Sequence, residues 1–473
     1  MYSLMFLVFA SFVLSLFLTP FVRNLALRFG LVDEPDGNRK IHQAPIPRLG
    51  GVAIFLATLG AYGLLLVVNL SAGHIVRSGF PFALKLLPAV SIIFLVGLID
   101  DIVGISPWKK LIAELGVSVL AWSVGIRLFS IGGHPFHPAI SLALTVIWIV
   151  ACTNAVNLID GVDGLAAGVG LFAVLTTLIA ALLHHNTDLV FATVPLVGAL
   201  LGFLRFNFNP ASIFLGDCGS LTLGFLLGCY GIVWSEKSTT ILGMTAPLLA
   251  LSVPLLDSAI AIARRFLRQQ PIFKADRAHI HHKLLSRGLA TRHVVLILYG
   301  FCGLAAVASL TLSATHRQYQ GFILVLVCFT AWLGLQHLGY NEFGAAGKLA
   351  LGGGFRRLLN AQLTLVGFEK DLSEAEDIQQ CWDIVCEAYS AFGFSGIELQ
   401  LDRTWLHGKV DGRWHVHMDL PGYGYINLVR NSEAKGGGAE AFLFIECVSR
   451  IFSSKLNEVG VRDATMKAYA SAD

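Results

Sequence analysis

Charge is scarce in this chain. Asp, Glu, Lys and Arg make up 14% of its 473 residues, against about 25% in an ordinary soluble domain. Hydrophobic residues reach 55% and the mean hydropathy is +0.68, which excludes a single soluble fold and points to a polytopic membrane protein. The net charge is only +3. No zinc-finger, RRM or basic-helix pattern occurs, so nucleic acid is excluded as a partner. The chain also lacks GxxxxGK[ST] and HExxH, which removes a P-loop as the nucleotide site and leaves a zinc site without its motif. Its eight cysteines have no metal or disulfide spacing; five lie in or beside apolar segments, and Cys381, Cys386 and Cys447 lie near the C-terminus. They read as small buried hydrophobes in a reducing compartment. The first apolar run ends in Arg23 and Arg28 without a small-residue cleavage site, and so reads as a retained span and not a signal peptide.

What the chain has in quantity is apolar sequence. Runs of about 17 to 22 residues suit a bilayer core of about 30 Å. They fall near 3–22, 50–70, 84–100, 110–127, 139–157, 164–183, 189–205, 219–234, 240–262, 294–313 and 321–339. The expected fold is an all-α polytopic membrane protein of about eleven transmembrane helices. One set of loops holds Arg39, Lys40, Arg48, Lys109, Lys110, Arg264, Arg265, Arg268, Lys274, Arg277, Lys283, Arg287 and Arg292, whereas the opposite set holds little beyond Arg77, Lys85, Arg127, Lys237 and Arg317. The positive-inside rule puts the rich set in the cytoplasm, with the N-terminus outside and the C-terminus inside.

Near Tyr340 the character changes. Residues 1–340 form the membrane domain, 341–355 a Gly-rich linker, and 356–473 a small α+β domain expected in the cytoplasm. In the last region DLSEAEDIQQCWDIVCEAYSAFG has helical periodicity, GIELQL, RWHVHMDL and YGYINLV read as strands, and AFLFIECVSRIFSSKL reads as a closing helix. The order is loosely GAF-like. It holds no phosphate loop, acid–histidine cluster or Cys-based metal pattern. It is expected to regulate the protein or bind a partner.

The polar clusters of the membrane domain share one side of this topology: 33–51, GLIDD at 97–101, NAVNLIDGVDGLAAG at 154–168, FNFNPASIFLGDCGS at 206–220 and DRAHIHH at 276–282. An ion-coupled transporter would instead hold its acids near the bilayer midplane. Asp100 and Asp101 end a span, facing the negative end of its dipole, and need a cation such as a metal ion or Lys109 and Lys110. Asp160 and Asp163 open the next-but-two span. Capping accounts for one of them, while the glycines beside them let backbone N–H groups approach a phosphate. Asp217 starts a span and is open to the same two readings. His279, His281 and His282 lie among Arg and Lys, suited to an anion or a metal; since Mg²⁺ prefers oxygen, the histidines are assigned to phosphate and the acids to metal. Glu114 stands four residues after Lys110 and reads as a surface ion pair or a site residue. Asp257 is an intramembrane acid, open to pairing with Arg264 or Arg265 or to serving a sugar.

Taken together and in order, RKIHxxPxPRxGG, DD, NxxDGxDGL, GDxGS and HIHH resemble the polyprenyl-phosphate N-acetylhexosamine-1-phosphate transferase family over about residues 1–340. Within it, HIHH after DR is similar to bacterial enzymes that use UDP-N-acetylglucosamine. The resemblance implies attack of undecaprenyl phosphate on a UDP-sugar, with UMP released, at the inner membrane of a bacterium. Mg²⁺ is the implied cofactor, with Mn²⁺ as a substitute, and a homodimer is left open. It implies a metal at Asp217 with Asp101 as second ligand, and Asp100 activating the lipid phosphate. Asp160 and Asp163 would bind uracil and diphosphate or steer the metal. Asn207 and Phe214 would lie near uridine, with Asn154 and Asn157 in the substrate site. His279, His281 and His282 would hold the diphosphate, and Arg39, Lys40 and His42 would flank substrate entry. Alternatives are the same chemistry with another UDP-N-acetyl sugar, or a transporter of lipid-linked sugar. The last 130 or so residues stand outside the compact family pattern.

Overall fold

The computed structural model describes residues 2–34, 45–68, 74–131, 134–236, 245–267 and 279–314, and shorter stretches within 321–330 and 365–459. Two compact units divide the chain, Met1–Gly339 and Tyr340–Asp473.

In the first unit apolar sequence becomes helix, because a backbone in lipid must satisfy its N–H and C=O groups within the segment. The helices are α1 (Tyr2–Arg28), α2 (Gly50–Val67), α3 (His74–Val103), α4 (Pro107–Ser123), α5 (Pro138–Ile159), α6 (Leu165–Leu183), α7 (Thr187–Asn207), α8 (Gly216–Glu236), α9 (Thr245–Ala250), α10 (Ser252–Leu267), α11 (Ile280–Ser286) and α12 (Thr291–Ala314). Among the described residues eight of these are long and apolar enough to cross a membrane: α1 to α3, α5 to α8, and α12. The chain is a multi-pass membrane protein.

Of the other three of the eleven expected spans, two differ in form from these eight. The fourth is the 17-residue α4, whose first turns carry Lys109, Lys110 and Glu114 and shorten its apolar run. The ninth is broken at Leu251 into α9 and α10. Pro254 stands at the break, since it has no N–H for the carbonyl of Ala250 four residues earlier. Most of the eleventh, 321–339, lies outside the described residues.

Three helices form the centre of the bundle. Burial reaches 72% in α6, 78% in α7 and 83% in α8, against 28–39% in the other five spans. Phe191, Phe203 and Phe225 are fully buried among them, while Phe9, Phe17, Phe21 and Phe301 are exposed, as residues that meet lipid tails can be. Small residues let the first turn of α8 sit close to its neighbours. A Cβ on Gly97 of α3 would lie 2.6 Å from Cys218 Cα, and one on Gly51 of α2 would overlap the backbone of Gly219. Two short hairpins, β1 (Val32–Asp33) with β2 (Ile46–Pro47) and β3 (Ser130–Ile131) with β4 (His134–Pro135), complete the unit.

The second unit holds α13 (Ile378–Ala388), a 3₁₀ turn Tyr389–Phe392, strands β5 (Gly396–Leu401), β6 (Thr404–His407), β7 (Trp414–Leu420) and β8 (Gly424–Arg430), and α14 (Gly438–Val459). The strands form one antiparallel sheet in the order β6-β5-β8-β7. Ile397, Leu399, Ile426 and Leu428 pack one face against Val385, Phe392, Phe444 and Val448, as period-2 alternation requires. β6 is an addition that the sequence pattern did not announce. His417 is exposed and bonds Asn427 at 2.7 Å and Asp419 at 3.1 Å. The expected linker 341–355 lies outside the described residues.

Candidate active site

The last turn of α3 meets the first turn of α8. Asp101 accepts the backbone N–H of Asp217 at 2.8 Å and that of Cys218 at 2.9 Å. A helix start has backbone donors without internal partners, and here a carboxylate from another helix satisfies two of them. Gly216 makes the approach feasible. Its φ is +75°, and a Cβ there would stand 2.7 Å from Asp101 Oδ2 and overlap the carbonyl of Arg48.

Asp100, the neighbouring acid, accepts the N–H of Ile105 at 2.5 Å. Its other oxygen meets Lys110 Nζ at 2.5 Å. The same ammonium also bonds Asp217 Oδ2. Lys110 on α4 therefore clamps the acid that ends α3 to the acid that begins α8.

Neither Asp160 nor Asp163 caps the helix that follows. Asp160 ends α5 as its C-cap, and Gly164, at φ +76°, is the N-cap of α6 without a side-chain bond. Asp160 instead faces the start of α8, near Gly216. Burial pushes its carboxyl well above the usual carboxylate range, and the charges of Asp217 and Asp101 push it further. Asp163 accepts Asn209 Nδ2 at 2.9 Å and the N–H of Ala211 at 3.0 Å. It ties the stretch before α8 to the DGVDG turn. Tyr299 of α12 donates to the carbonyl of Gly164 at 2.5 Å and so pins the start of α6.

The three asparagines have defined partners. Asn207 Nδ2 donates to the carbonyl of Ile213 at 2.8 Å, Asn157 Oδ1 accepts Ser220 Oγ at 2.9 Å, and Asn154 Nδ2 bonds Glu114. Glu114 is buried, which overturns its reading as a surface ion pair with Lys110. The backbone of Phe214 links β2 to α2: its N–H meets the carbonyl of Pro47 at 2.8 Å, and its carbonyl takes the N–H of Gly50 at 2.9 Å.

The HIHH segment forms the end of α11, with His279 as its N-cap residue. Asp257 of α10 accepts the N–H of Ile280 at 2.8 Å and lies 3.0 Å from His279 Nδ1. Asp257, expected to pair with Arg264 or Arg265 or to serve a sugar, thus bonds the histidine segment. His281 lies against His282, with ring centroids 4.4 Å apart. A Cβ on Gly161 would stand 3.5 Å from His281 Nε2, so the HIHH segment abuts the DGVDG turn. Burial, then the neighbouring His282, lower the His281 pKa to about 4. It is a neutral imidazole at neutral pH, and not a cation.

The structure therefore draws Asp100, Asp101, Asp160, Asp163 and Asp217 into one region, with Asn157 and His281 bonded or packed at its edges. Arg39, Lys40 and His42 lie outside the described residues. Sequence reasoning missed the bridging role of Lys110, the Asn154–Glu114 bond, and the contributions of Asn209, Ser220 and Tyr299. Signal was present for Lys110, named as a cation for Asp100 and Asp101, for Ser220 within GDCGS and for Asn209 within NPAS. Among the described residues no three His, Cys, Asp or Glu side chains form a preformed metal cage.

Residues 83–235 match the model of glycosyl transferase family 4, a span that contains Asp100, Asp160 and Asp217. The chain is 36% identical over 323 residues to a probable undecaprenyl-phosphate N-acetylglucosaminyl 1-phosphate transferase of Bacillus subtilis, covering 66% of this chain and 86% of that protein. It is 35% identical over 321 residues to a decaprenyl-phosphate N-acetylglucosaminephosphotransferase of Mycobacterium tuberculosis, covering 62% and 78%. It is 31% identical over 317 residues to an undecaprenyl-phosphate alpha-N-acetylglucosaminyl 1-phosphate transferase of Thermotoga maritima, covering 67% and 92%. The carboxylate-lined start of α8 thus sits inside a matched region, and the chain belongs to glycosyl transferase family 4, together with these polyprenyl-phosphate N-acetylglucosamine-1-phosphate transferases.

Proposed function

We propose that the chain transfers an N-acetylhexosamine-1-phosphate, GlcNAc-1-phosphate by analogy with its relatives, from a UDP-sugar to undecaprenyl phosphate. The site faces the cytoplasm at a bacterial inner membrane, and the product starts a lipid-linked surface glycan. The observation that carries this reading is the Asp100–Lys110–Asp217 clamp at the start of α8. It gathers opposed charges at a helix terminus, as a reaction between two phosphates requires.

In this reading an oxygen of the lipid phosphate attacks the β-phosphorus of the UDP-sugar. A new P–O–P bond forms, the bond between the β-phosphorus and its bridging oxygen breaks, and UMP leaves with that oxygen. Asp100 accepts the proton when the lipid phosphate arrives as a monoanion. Lys110 shifts from the carboxylates towards the phosphates and offsets the charge that develops on them. Asp101 keeps the α8 start in place. Asp163 holds the 206–213 stretch, which carries Asn207 and leads into Phe214, for the uridine. His279, His281 and His282 hold the diphosphate, His281 by hydrogen bonds and not by charge.

The site's donor set fits Mg²⁺, and Mn²⁺ equally. Asp100, Asp101, Asp160 and Asp217 would offer carboxylate oxygens, with the one ammonium of Lys110 among them. Such an ion would be held through one or two carboxylates plus substrate phosphates. Asp217 is the primary ligand in this reading. The oxygens of Asp101 are engaged by α8, so its part is to aim Asp217. The chemistry it would supply is to offset phosphate charge.

The test is UMP release by the purified full chain with UDP-GlcNAc, Mg²⁺ and undecaprenyl phosphate. One UMP per lipid product is expected, and Asp217→Asn should abolish it in protein that remains folded. Release only with another UDP-N-acetyl sugar would change the donor. No release with any of them would refute the transferase reading and return the transporter alternative.

A further inference from the structure

Glu114 stands on α4, one turn after Lys110, and only 2% of it is exposed. A carboxylate buried to that degree needs a partner. It has one on α5: Asn154 Nδ2 donates to Glu114 Oε2 and, at 3.0 Å, to the backbone carbonyl of Val150.

A side-chain amide offers two protons and one carbonyl oxygen. Both Asn154 protons go to acceptors, a carboxylate and a backbone carbonyl. Flipping the amide would set its oxygen against both of them, so the network itself fixes the orientation. The carbonyl oxygen is the atom left to meet a ligand. Phosphate oxygens are acceptors too, and an acceptor cannot bond an acceptor. A hydroxyl or an amide N–H can. Asn154 is also one turn before Asn157, whose Oδ1 takes Ser220 Oγ of α8, so it stands beside the clamp and not in remote packing.

We propose that Glu114 is a positioning residue that fixes Asn154 as a hydrogen-bond acceptor, so that Asn154 recognises a hydroxyl or amide N–H of the nucleotide-sugar donor and not its phosphates. The inference rests on the transferase reading above. It separates Asn154 from the phosphate-binding part of the site and gives the buried acid of α4 a role in substrate selection.

The experiment uses the full-length protein and steady-state kinetics for both substrates. Glu114→Ala releases Asn154, and Asn154→Asp sets a carboxylate against Glu114. Each is expected to raise the KM for UDP-GlcNAc by about tenfold or more, the scale of a lost charge-assisted hydrogen bond, with the KM for undecaprenyl phosphate unchanged. Glu114→Gln keeps an acceptor oxygen for the Asn154 N–H. Its donor KM should stay within about threefold of the parent. An unmoved donor KM in Glu114→Ala and Asn154→Asp overturns the proposal. So does a folded Glu114→Gln protein whose donor KM rises as far as that of Glu114→Ala, or a parallel change in both KM values. A parent enzyme that turns over no UDP-sugar overturns both this proposal and the transferase reading, whereas turnover with an unmoved KM overturns this one alone.

Discussion

Asp101 accepts the backbone N–H of Asp217 at 2.8 Å, so one acid of the site orients the helix turn that carries another. Its second bond, to Cys218 at 2.9 Å, uses the remaining oxygen. Asn at 101 has a single acceptor oxygen and would turn an NH₂ group towards one of these donors. Asp101→Asn should therefore cost about 1–2 kcal/mol of stability, the scale of a lost helix cap, and should also lower turnover. Asp217→Asn should lower turnover without a comparable fall in melting temperature. Thermal melts and UMP release on the two variants separate the roles; an Asp101→Asn protein that melts with the parent would remove Asp101 from the capping role.

Lys110 bonds Asp100 and Asp217 with one ammonium. Lys110→Met leaves the two carboxylates facing each other without that charge. Turnover should fall by about 10²-fold or more, as expected for loss of a charge that stabilises a phosphoryl-transfer transition state. The apparent dissociation constant for Mg²⁺ should fall as well, because the ion no longer competes with the ammonium for the same oxygens. A Mg²⁺ titration of residual activity checks the sign. An unchanged or raised dissociation constant for Mg²⁺ in Lys110→Met would mean that lysine and metal do not share these ligands.

His281 carries a pH signature. Its pKa is lowered to about 4, with burial as the main cause, against about 6.5 in an unfolded chain. Between these values the unfolded state binds more protons than the folded state, so stability rises with pH there. The contribution is complete above about pH 6.5 and is lost as pH falls towards 4. Melting temperatures measured from pH 4 to pH 7 should fall on the acid side, and His281→Gln should flatten that slope. An unchanged slope would mean that His281 titrates normally in the folded protein.

The acids were legible because their motifs crowd carboxylates and glycines into helix ends, where an apolar chain has little reason to place them. Their local jobs were not legible. Asp160 and Asp163 look like caps of α6, yet Gly164 takes that position at φ +76°, while Asp163 is engaged by the Asn209 side chain and the N–H of Ala211. Spacing along one helix could pair Asp257 with an arginine, but only the return of the chain at α11 brings His279 to it. Glu114 and Lys110 are neighbours by helical period, yet each turns to a different partner on another helix. Period and composition locate elements and their polar ends. Bonds between elements distant in sequence decide what those ends do.

The last prediction concerns the second unit. Every acid of the candidate site lies in Met1–Gly339, while Tyr340–Asp473 forms a unit of its own with its own apolar core around Phe392, Phe444, Leu399 and Leu428. No residue of that core belongs to the core of the first unit. Glycines at 344, 347 and 352–354 give the connecting sequence the composition of a flexible linker. A chain ending near Gly344 should therefore fold and retain transferase activity in detergent to within a few-fold, and the second unit should serve regulation or partner binding. UMP release and size-exclusion profiles of the truncated and full chains make the comparison. Complete loss of activity in a truncated protein that still elutes as a folded species would make the second unit part of the catalytic machinery.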